Sequence, residues 1–390
     1  MKIDRRRLLS AFVAAPFTAA LPATARVRNE TAEAALAEVF ASAGPVGLGA
    51  AVISRTGLAW AGARGVRRFR TADAVTTGDR WHLGSNTKAM TAAVFARLAE
   101  QGRARWAMAL GEVFPDMPID PAWAATTLDD VMHHRAGLLD AAVMGREWLM
   151  SARQDPRSLP DQRAAIVARA LGAPPPGEAG RFAYGNANYV LVGAAIERLT
   201  GRSWEEAMRD ELFAPLGLAS AGFGAPPSGS GAPDNAWGHR GSGDDRLPMP
   251  PDHPGADNPA ALGPAGTVHM DLADYGRFLA AMMGGRPEWL GETALARLTT
   301  PPAGAAPPAY AAGWGVGEEP WAGAGGTGRV LGHDGSNTKW HCSAKVAPER
   351  GLAVVAVANE GAAGRAACQT LVQTLAAIAG SDVSLAAADG

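Results

Sequence analysis

Two serine–lysine pairs stand out in this chain of 390 residues. Gly84-Ser85-Asn86-Thr87-Lys88 recurs letter for letter as Gly335-Ser336-Asn337-Thr338-Lys339, and each copy contains Ser-x-x-Lys. That spacing suits a serine nucleophile and a lysine that takes its proton. The chain has only four lysines (Lys2, Lys88, Lys339 and Lys345) and fifteen serines, so two such pairs exceed what chance supplies.

The residues that follow separate the two copies. Ala89 to Glu100 are rich in alanine, leucine and methionine, with Gly102 as a C-terminal stop, and predict a helix. On a helix, positions three apart share a face, so Ser85 and Lys88 point the same way. Ser85 would stand at the helix N-terminus, where free N–H groups and the dipole favour negative charge. This helix is apolar nearly all round, which implies burial between two layers. Burial strips water from the Lys88 ammonium, lowers its pKa and leaves an amine able to act as a base. The second copy leads into Trp340–Val346, a turn at Pro348–Gly351, and Leu352–Ala358, a hairpin pattern. On a strand, positions three apart face opposite sides, so Ser336 and Lys339 are rejected as a chemical pair.

Two further segments could complete a site. Tyr184-Gly185-Asn186 follows the turn-rich Pro174–Gly177 and precedes a helix that Asn186 or Asn188 could cap. Tyr184 would serve as a second proton-transfer group, its phenol ionising more easily beside a lysine ammonium. His333-Asp334-Gly335-Ser336 closes a strand, and the glycines flanking His333 allow close backbone approach to a ligand. The N–H of Ser336 could then join that of Ser85 as an oxyanion hole. Trp314 and Trp340 flank this segment as possible cleft walls, whereas His134 reads as a residue that packs or hydrogen-bonds beneath a helical region.

Taken in order, Ser85-Asn86-Thr87-Lys88, Tyr184-Gly185-Asn186 and His333-Asp334-Gly335 resemble the three motifs of the serine beta-lactamase and penicillin-binding protein-like superfamily. The likeness is greatest to its branch of class C beta-lactamases, DD-peptidases and esterases. It extends over most of residues 35–378 and includes Trp81–Gly84, Met132–Leu138 and the glycine-rich turn Gly263–Gly266. The resemblance implies hydrolysis of an ester or amide through an acyl-enzyme on Ser85, with Lys88 and Tyr184 shuttling protons and Ser85 and Ser336 amides holding the oxyanion. It also implies that Asn186 holds the substrate acyl amide and that His333 contacts a substrate carboxylate or assists proton transfer, with no cofactor or metal. Two positions depart from the pattern: Gly185 replaces a common serine, and His333 replaces the lysine of beta-lactamases. The second points away from beta-lactam hydrolysis as the physiological activity. The alternatives are a beta-lactamase or DD-peptidase proper, or a non-catalytic penicillin-binding-like sensor. Eight histidines are present, but no His-Glu-x-x-His supports a metal hydrolase, and no serine has the Gly-x-Ser-x-Gly of a lipase.

The elements that must position these groups follow from periodicity. Helices are expected over residues 31–42, 127–134, 146–152, 160–171, 187–200, 203–213, 271–284, 292–299 and 364–379. Hairpins are expected at 49–54 with 57–67 and at 340–346 with 352–358, and strands near 310–316 and 328–333. The arginines of Arg64–Arg70 read as a solvated hairpin tip. Residues 221–266 are rich in Gly, Pro, Asp and Ser and read as a long irregular loop shaping the cleft. Strands at both ends with helices between predict an α+β fold: an antiparallel sheet flanked by helices, with an inserted all-α lobe. The α/β lobe is drawn from about 31–102 and 267–380, and the helical lobe from about 103–266.

Arg5-Arg6-Arg7 before an apolar segment from Leu8 to Leu21 and the small residues Ala23-Thr24-Ala25 resemble a twin-arginine export signal over residues 1–25. The apolar run is too short to span a bilayer, and no cysteine adjoins the cut. The expected mature domain, 26–390, is periplasmic or secreted, without a stable membrane anchor. Losing Lys2, Asp4 and Arg5–Arg7 takes the net charge from −2 to −5, which argues against nucleic acid as a partner and leaves a small or peptide-like ester or amide substrate. Cys342 and Cys368 read as free, buried thiols.

Overall fold

A computed structural model describes residues 23–229, 231–305, 309–323 and 325–381. The expected export signal lies outside these residues except for Ala23–Ala25, which open helix α1 (Ala23–Ala43). The fold is α+β. Seven strands form one antiparallel sheet: β1 (Gly47–Ser54), β2 (Gly57–Gly65), β3 (Ala309–Ala311), β4 (Trp314–Gly323), β5 (Gly326–Ser336), β6 (His341–Ala347) and β7 (Leu352–Ala358). Their spatial order is β2-β1-β7-β6-β5-β4-β3, so both ends of the chain build one sheet. Leu48 lies opposite Ala358, and Ser54 opposite Leu352.

β7 is apolar throughout because both its faces are covered. Leu352, Val354, Ala356 and Ala358 pack with Leu36 and Val39 of α1 and with Cys368, Leu371, Val372 and Leu375 of helix α6 (Ala362–Gly380). The α6 residues recur at helical spacing and form one apolar stripe. Ala353, Val355 and Val357 face the other way, into the large core with α2 (Thr87–Glu100) and α5 (Leu272–Met282). α2 is buried from Thr87 through Ala96, as its uniform apolarity predicts. Cys342 and Cys368 are free and fully buried.

Beyond α2 the helices α3 (Leu159–Leu171) and α4 (Asn186–Thr200) pack together with the short helix Trp204–Met208. Arg163 of α3 is fully buried and joins them: its guanidinium donates to Glu197 at 3.1 Å and to both Glu205 carboxylate oxygens at 2.7 and 2.9 Å.

Several elements differ from expectation. The strand expected at 310–316 is broken into β3 and β4 at Gly313, which has φ +85°. A Cβ there would lie 2.4 Å from the Ala89 Cα, so the turn presses directly on α2. Arg64–Arg70 lie at the far end of β2 from the hairpin turn, and Arg67 donates twice to the buried Asp79, at 2.6 and 2.8 Å. The 203–213 helix runs as α only to Met208 and continues as a π turn, Arg209–Phe213. The 221–266 stretch is largely irregular, yet Gly222–Phe223 pairs with Val268–Met270, which pairs with Trp81–His82. A ribbon of Gly238–Arg240 with Leu247–Met249 is seated by a His239 hydrogen bond to the Asn359 carbonyl at 2.8 Å.

Arg163→Ala leaves the buried Glu197 and the half-buried Glu205 without their shared cation. It should cost about 3–5 kcal/mol of unfolding free energy in a urea titration, whereas Arg163→Met should cost clearly less.

Candidate active site

Ser85 lies in a single 3₁₀ turn, Gly84–Asn86, that runs straight into α2. Two glycines set its position. Gly84 has φ +53°, and a Cβ there would fall 2.3 Å from the Ser336 nitrogen. A Cβ on Gly335 would fall 2.1 Å from the Leu83 oxygen and 2.7 Å from the Ser85 nitrogen. Only glycine at both places lets the end of β5 touch the turn. The backbone around Ser85 and that around Ser336 therefore meet, and both serines line one cavity of about 130 Å³ with Tyr184, Asn186, Asn258, Leu262, Ala265 and Gly266. The neighbouring side chains fix the turn. Asn86 donates to the Leu83 carbonyl at 3.0 Å and accepts from the Tyr275 hydroxyl at 2.8 Å. Thr87 donates to the Gly84 carbonyl at 2.8 Å.

Lys88 is fully buried one helical turn on. Its Nζ lies 3.0 Å from Ser85 Oγ, 2.9 Å from Asn186 Oδ1 and 2.7 Å from the Ala265 carbonyl. Desolvation lowers its pKa to about 7, against a smaller upward pull from Asp140. The lysine thus stands near the balance between ammonium and amine at neutral pH.

Asn186 opens α4, but neither Asn186 nor Asn188 caps it. The cap is Asp140, whose carboxylate accepts from the Asn186 N–H at 3.0 Å, the Ala187 N–H at 2.8 Å and the Asn186 side chain at 3.1 Å. A Cβ on Gly185 would meet Asp140 at 2.9 Å, so the glycine leaves room for this carboxylate. Asn186 therefore lines the cavity with both ends of its amide engaged, one on Lys88 and one on Asp140.

Tyr184 is 46 % exposed as a residue, yet it lines the same cavity as Ser85 and its ring centroid lies 4.9 Å from Lys88 Nζ. The expectation of an easily ionised phenol is reversed. Desolvation pushes its pKa up to about 12; the neighbouring Ser85 hydroxyl opposes this only in part, and Asp140 adds to it. Tyr184 is a protonated phenol at neutral pH.

His333 lies outside the lining of that cavity, on a second one with Gly332, Asp334 and Ser343, and its ring centroid is 6.1 Å from that of Tyr184. Its Nδ1 donates to the Asp334 carbonyl at 2.7 Å, so Nε2 accepts from the Tyr310 hydroxyl at 3.1 Å. Burial of the ring and the charge on Lys88 lower its pKa to about 4, leaving it neutral. His134, expected to pack or hydrogen-bond, does both: it is buried with φ +56°, its ring lies tilted against Tyr184 and Tyr310 with centroids 4.6 and 4.8 Å away, and its Nδ1 accepts from the Gly185 N–H at 3.4 Å. Trp314 and Trp340 are fully buried and line no cleft. In the second pentapeptide, Ser336 Oγ donates to the Trp340 carbonyl at 2.6 Å, and Lys339 Nζ donates to the Asn337 carbonyl at 3.1 Å. The copy leaves the end of β5 after Ser336 and turns at Asn337–Lys339 instead of continuing as a strand, and its serine and lysine side chains bond elsewhere.

The Beta-lactamase family model matches residues 30–377. The chain belongs to the Beta-lactamase family. Among curated relatives it is similar to penicillin-binding protein 4 of Amycolatopsis lactamdurans, 31 % identical over 161 residues, covering 40 % of this chain and 39 % of the relative. It is also similar to the unguisins hydrolase ungD' of Aspergillus campestris, 26 % identical over 301 residues, 73 % of this chain and 53 % of that protein. The chain thus spans only about 39 % and 53 % of the curated relatives it matches. Among solved structures, SurE superposes with a TM-score of 0.70 at 24 % identity, covering 90 % of this chain and 76 % of that one. A D-stereospecific amidohydrolase from Streptomyces gives 0.66 at 21 % identity, with 88 % and 97 % covered. These likenesses show the Beta-lactamase family fold.

Several groups at the site of this family member escape sequence reasoning. Asp140 follows the His134–Leu138 stretch closely, but nothing in its spacing points to Asn186. Ala265 lies in the quoted glycine-rich turn, yet contributes through its carbonyl, which residue type does not reveal. Tyr310 had no motif, although the chain has only four tyrosines and Tyr184, Tyr189, Tyr275 and Tyr310 all touch this region.

Asp140→Ala removes both the cap and the one charge that raises the Lys88 pKa. Unfolding in urea should show a loss of about 1 kcal/mol. Lysine NMR, readable with four lysines in the chain, should show Lys88 titrating at lower pH than in the parent.

Proposed function

We propose that this protein is an exported serine hydrolase that cleaves an ester or amide through an acyl-enzyme on Ser85. The observation that carries this reading is the 3.0 Å contact between Ser85 Oγ and a fully buried Lys88 whose pKa is lowered to about 7. A lysine held there can take the serine proton as an amine and return it as an ammonium. Ser85 Oγ bonds to the substrate carbonyl carbon, and the carbonyl oxygen takes the negative charge. The Ser85 and Ser336 N–H groups receive that oxyanion, held together by Gly84 and Gly335. The proton passes by way of Lys88 and Tyr184 to the leaving alcohol or amine as its bond to the carbonyl breaks. Tyr184, protonated and on the wall of the cavity that Ser85 enters, serves as the donor to the leaving group. A water then attacks the acyl-enzyme by the same route in reverse, and the acid departs. Asn186 faces the acyl side of the cavity while fixing Lys88.

The hydrolase names among the relatives support this class. The neutral His333, engaged at both nitrogens, favours esters and amides without a carboxylate over penicillin-like acids, because it supplies no cation. Export rests on the Arg5–Ala25 pattern. Among the described residues, no helix is long and apolar enough to cross a membrane.

Treatment with a fluorophosphonate and, separately, a fluorescent penicillin should label Ser85 with the first and little or not at all with the second, as read by peptide mapping. Ser85→Ala should abolish labelling and turnover, and retention of full activity would overturn the scheme. For a neutral aryl ester, kcat/KM should rise with pH through about 7 as Lys88 loses its proton. Tyr184, with its pKa at about 12, should add no alkaline fall below that pH. Tyr184→Phe should lower kcat by about 10²–10⁴-fold.

A further inference from the structure

From the second Gly-Ser-Asn-Thr-Lys copy only the backbone of Gly335 and Ser336 enters the chemistry above, yet its asparagine side chain is almost completely buried. Asn337 is 3 % exposed. Its Oδ1 accepts from the Lys339 and Trp340 N–H groups at 3.1 and 3.2 Å, and its Nδ2 donates to the Asp257 carboxylate at 2.7 Å. Asp257 is 8 % exposed and also accepts from its neighbour's N–H, that of Asn258, at 2.7 Å. Its third partner is His82 Nε2, at 2.9 Å. His82 is fully buried, stacks on Trp340 with centroids 5.6 Å apart, and accepts the Gly84 N–H on Nδ1 at 3.1 Å. Since Nδ1 is an acceptor, the ring proton is on Nε2 and points at Asp257.

These bonds form an unbroken chain. It begins at Gly84, the residue before Ser85, and passes through His82, Asp257 and Asn337. It ends at the turn whose Trp340 carbonyl takes the Ser336 hydroxyl at 2.6 Å. The two backbone segments that present the Ser85 and Ser336 amides are thus joined twice. They touch directly at Gly84 and Gly335, and they are tied from behind through one buried carboxylate. Asp257 also fixes the loop that carries Asn258 on the cavity wall, and its own carbonyl accepts from Arg153 at 2.7 Å.

We infer that His82, Asp257 and Asn337 are positioning residues that hold the two oxyanion-binding amides in register, and that among the side chains of the second pentapeptide it is the asparagine, not the serine or the lysine, that serves the site. The inference rests on the hydrolase reading of Ser85. Geometry supplies the reason for an effect on rate. An oxyanion hole works only with both donors aimed at the developing charge, and a displacement of about 1 Å is enough to cost about 10²-fold.

The test uses the full chain with His82→Gln, Asp257→Asn, Asn337→Ala and the double variant Asp257→Asn/Asn337→Ala, each checked for its melting temperature. His82→Gln keeps a donor toward Asp257 but removes the Gly84 acceptor. His82→Asn, which offers an oxygen near the Nδ1 position, should recover part of the loss. Each single variant should lower kcat for a neutral aryl ester about 10- to 100-fold with KM changed less than about 3-fold. The pH midpoint near 7 should stay in place, because Lys88 is untouched. The double variant should lose little more than the worse single variant. Folded variants with kcat within 2-fold of the parent, or a shifted pH midpoint, would overturn the inference. Amide hydrogen exchange provides a readout independent of turnover. In Asp257→Asn, exchange should rise together in residues 82–86 and 336–340, and an unchanged pattern would sink the inference even if the parent proved inactive. A parent that neither turns over esters nor labels at Ser85 would instead count against the hydrolase reading alone.

Discussion

The site depends on placing one lysine amine where water cannot reach it. A buried ammonium is costly unless its protons find acceptors, and Lys88 finds three. They come from three distant segments: the turn at the head of its own helix, the first residue of α4, and a carbonyl 177 positions along the chain. Each acceptor needs its own scaffold. Asn186 is held by Asp140 at the end of a helix locked by Arg163. Ala265 lies in a turn against α2, next to the strand Val268–Met270 that pairs with Trp81–His82. Loss of any one would leave an unpaired proton in the core, so base strength and packing are set by the same contacts.

The sheet contributes by closeness more than by side chains. β5 reaches the turn that bears Ser85 only because two glycines remove the atoms that would collide. Contact at that distance converts a strand end and a helix start, both ordinary on their own, into one concave surface. Tyr184 walls this surface and is backed by aromatic neighbours: Tyr310 and His333 bond each other, and His134 packs between Tyr184 and Tyr310.

Much of this was legible because it is local. Ser85 and Lys88 share a helical turn, so spacing alone places them together. The alternating faces of β7 and the apolar stripe of α6 are likewise short-range patterns. What could not be read is carried by backbone atoms or by pairs far apart. Asp140 and Asn186 are 46 positions apart, and His82 and Asp257 are 175 apart. The ionisation of Tyr184 had the wrong expected sign because sequence shows a neighbouring cation but not the loss of solvent, and here desolvation wins. Trp314 and Trp340 adjoin the third motif in sequence, yet strand and turn geometry turn their rings into the core. The second pentapeptide was correctly denied a Ser/Lys role, although a turn rather than a strand keeps the two side chains apart.

The pairing of β1 with β7 has a bearing on timing. Leu48 meets Ala358, and the segment bearing Ser336 meets the turn bearing Ser85, only across intervals of roughly 250 to 310 residues. Contacts of such range form slowly, since the entropy of closing the intervening chain must be met before they contribute. During synthesis, the serine and its lysine leave the ribosome long before the strand that would complete their site. A growing chain therefore carries this serine–lysine pair without the surface it packs against, and the cavity is complete only when strands from the two ends of the fold meet.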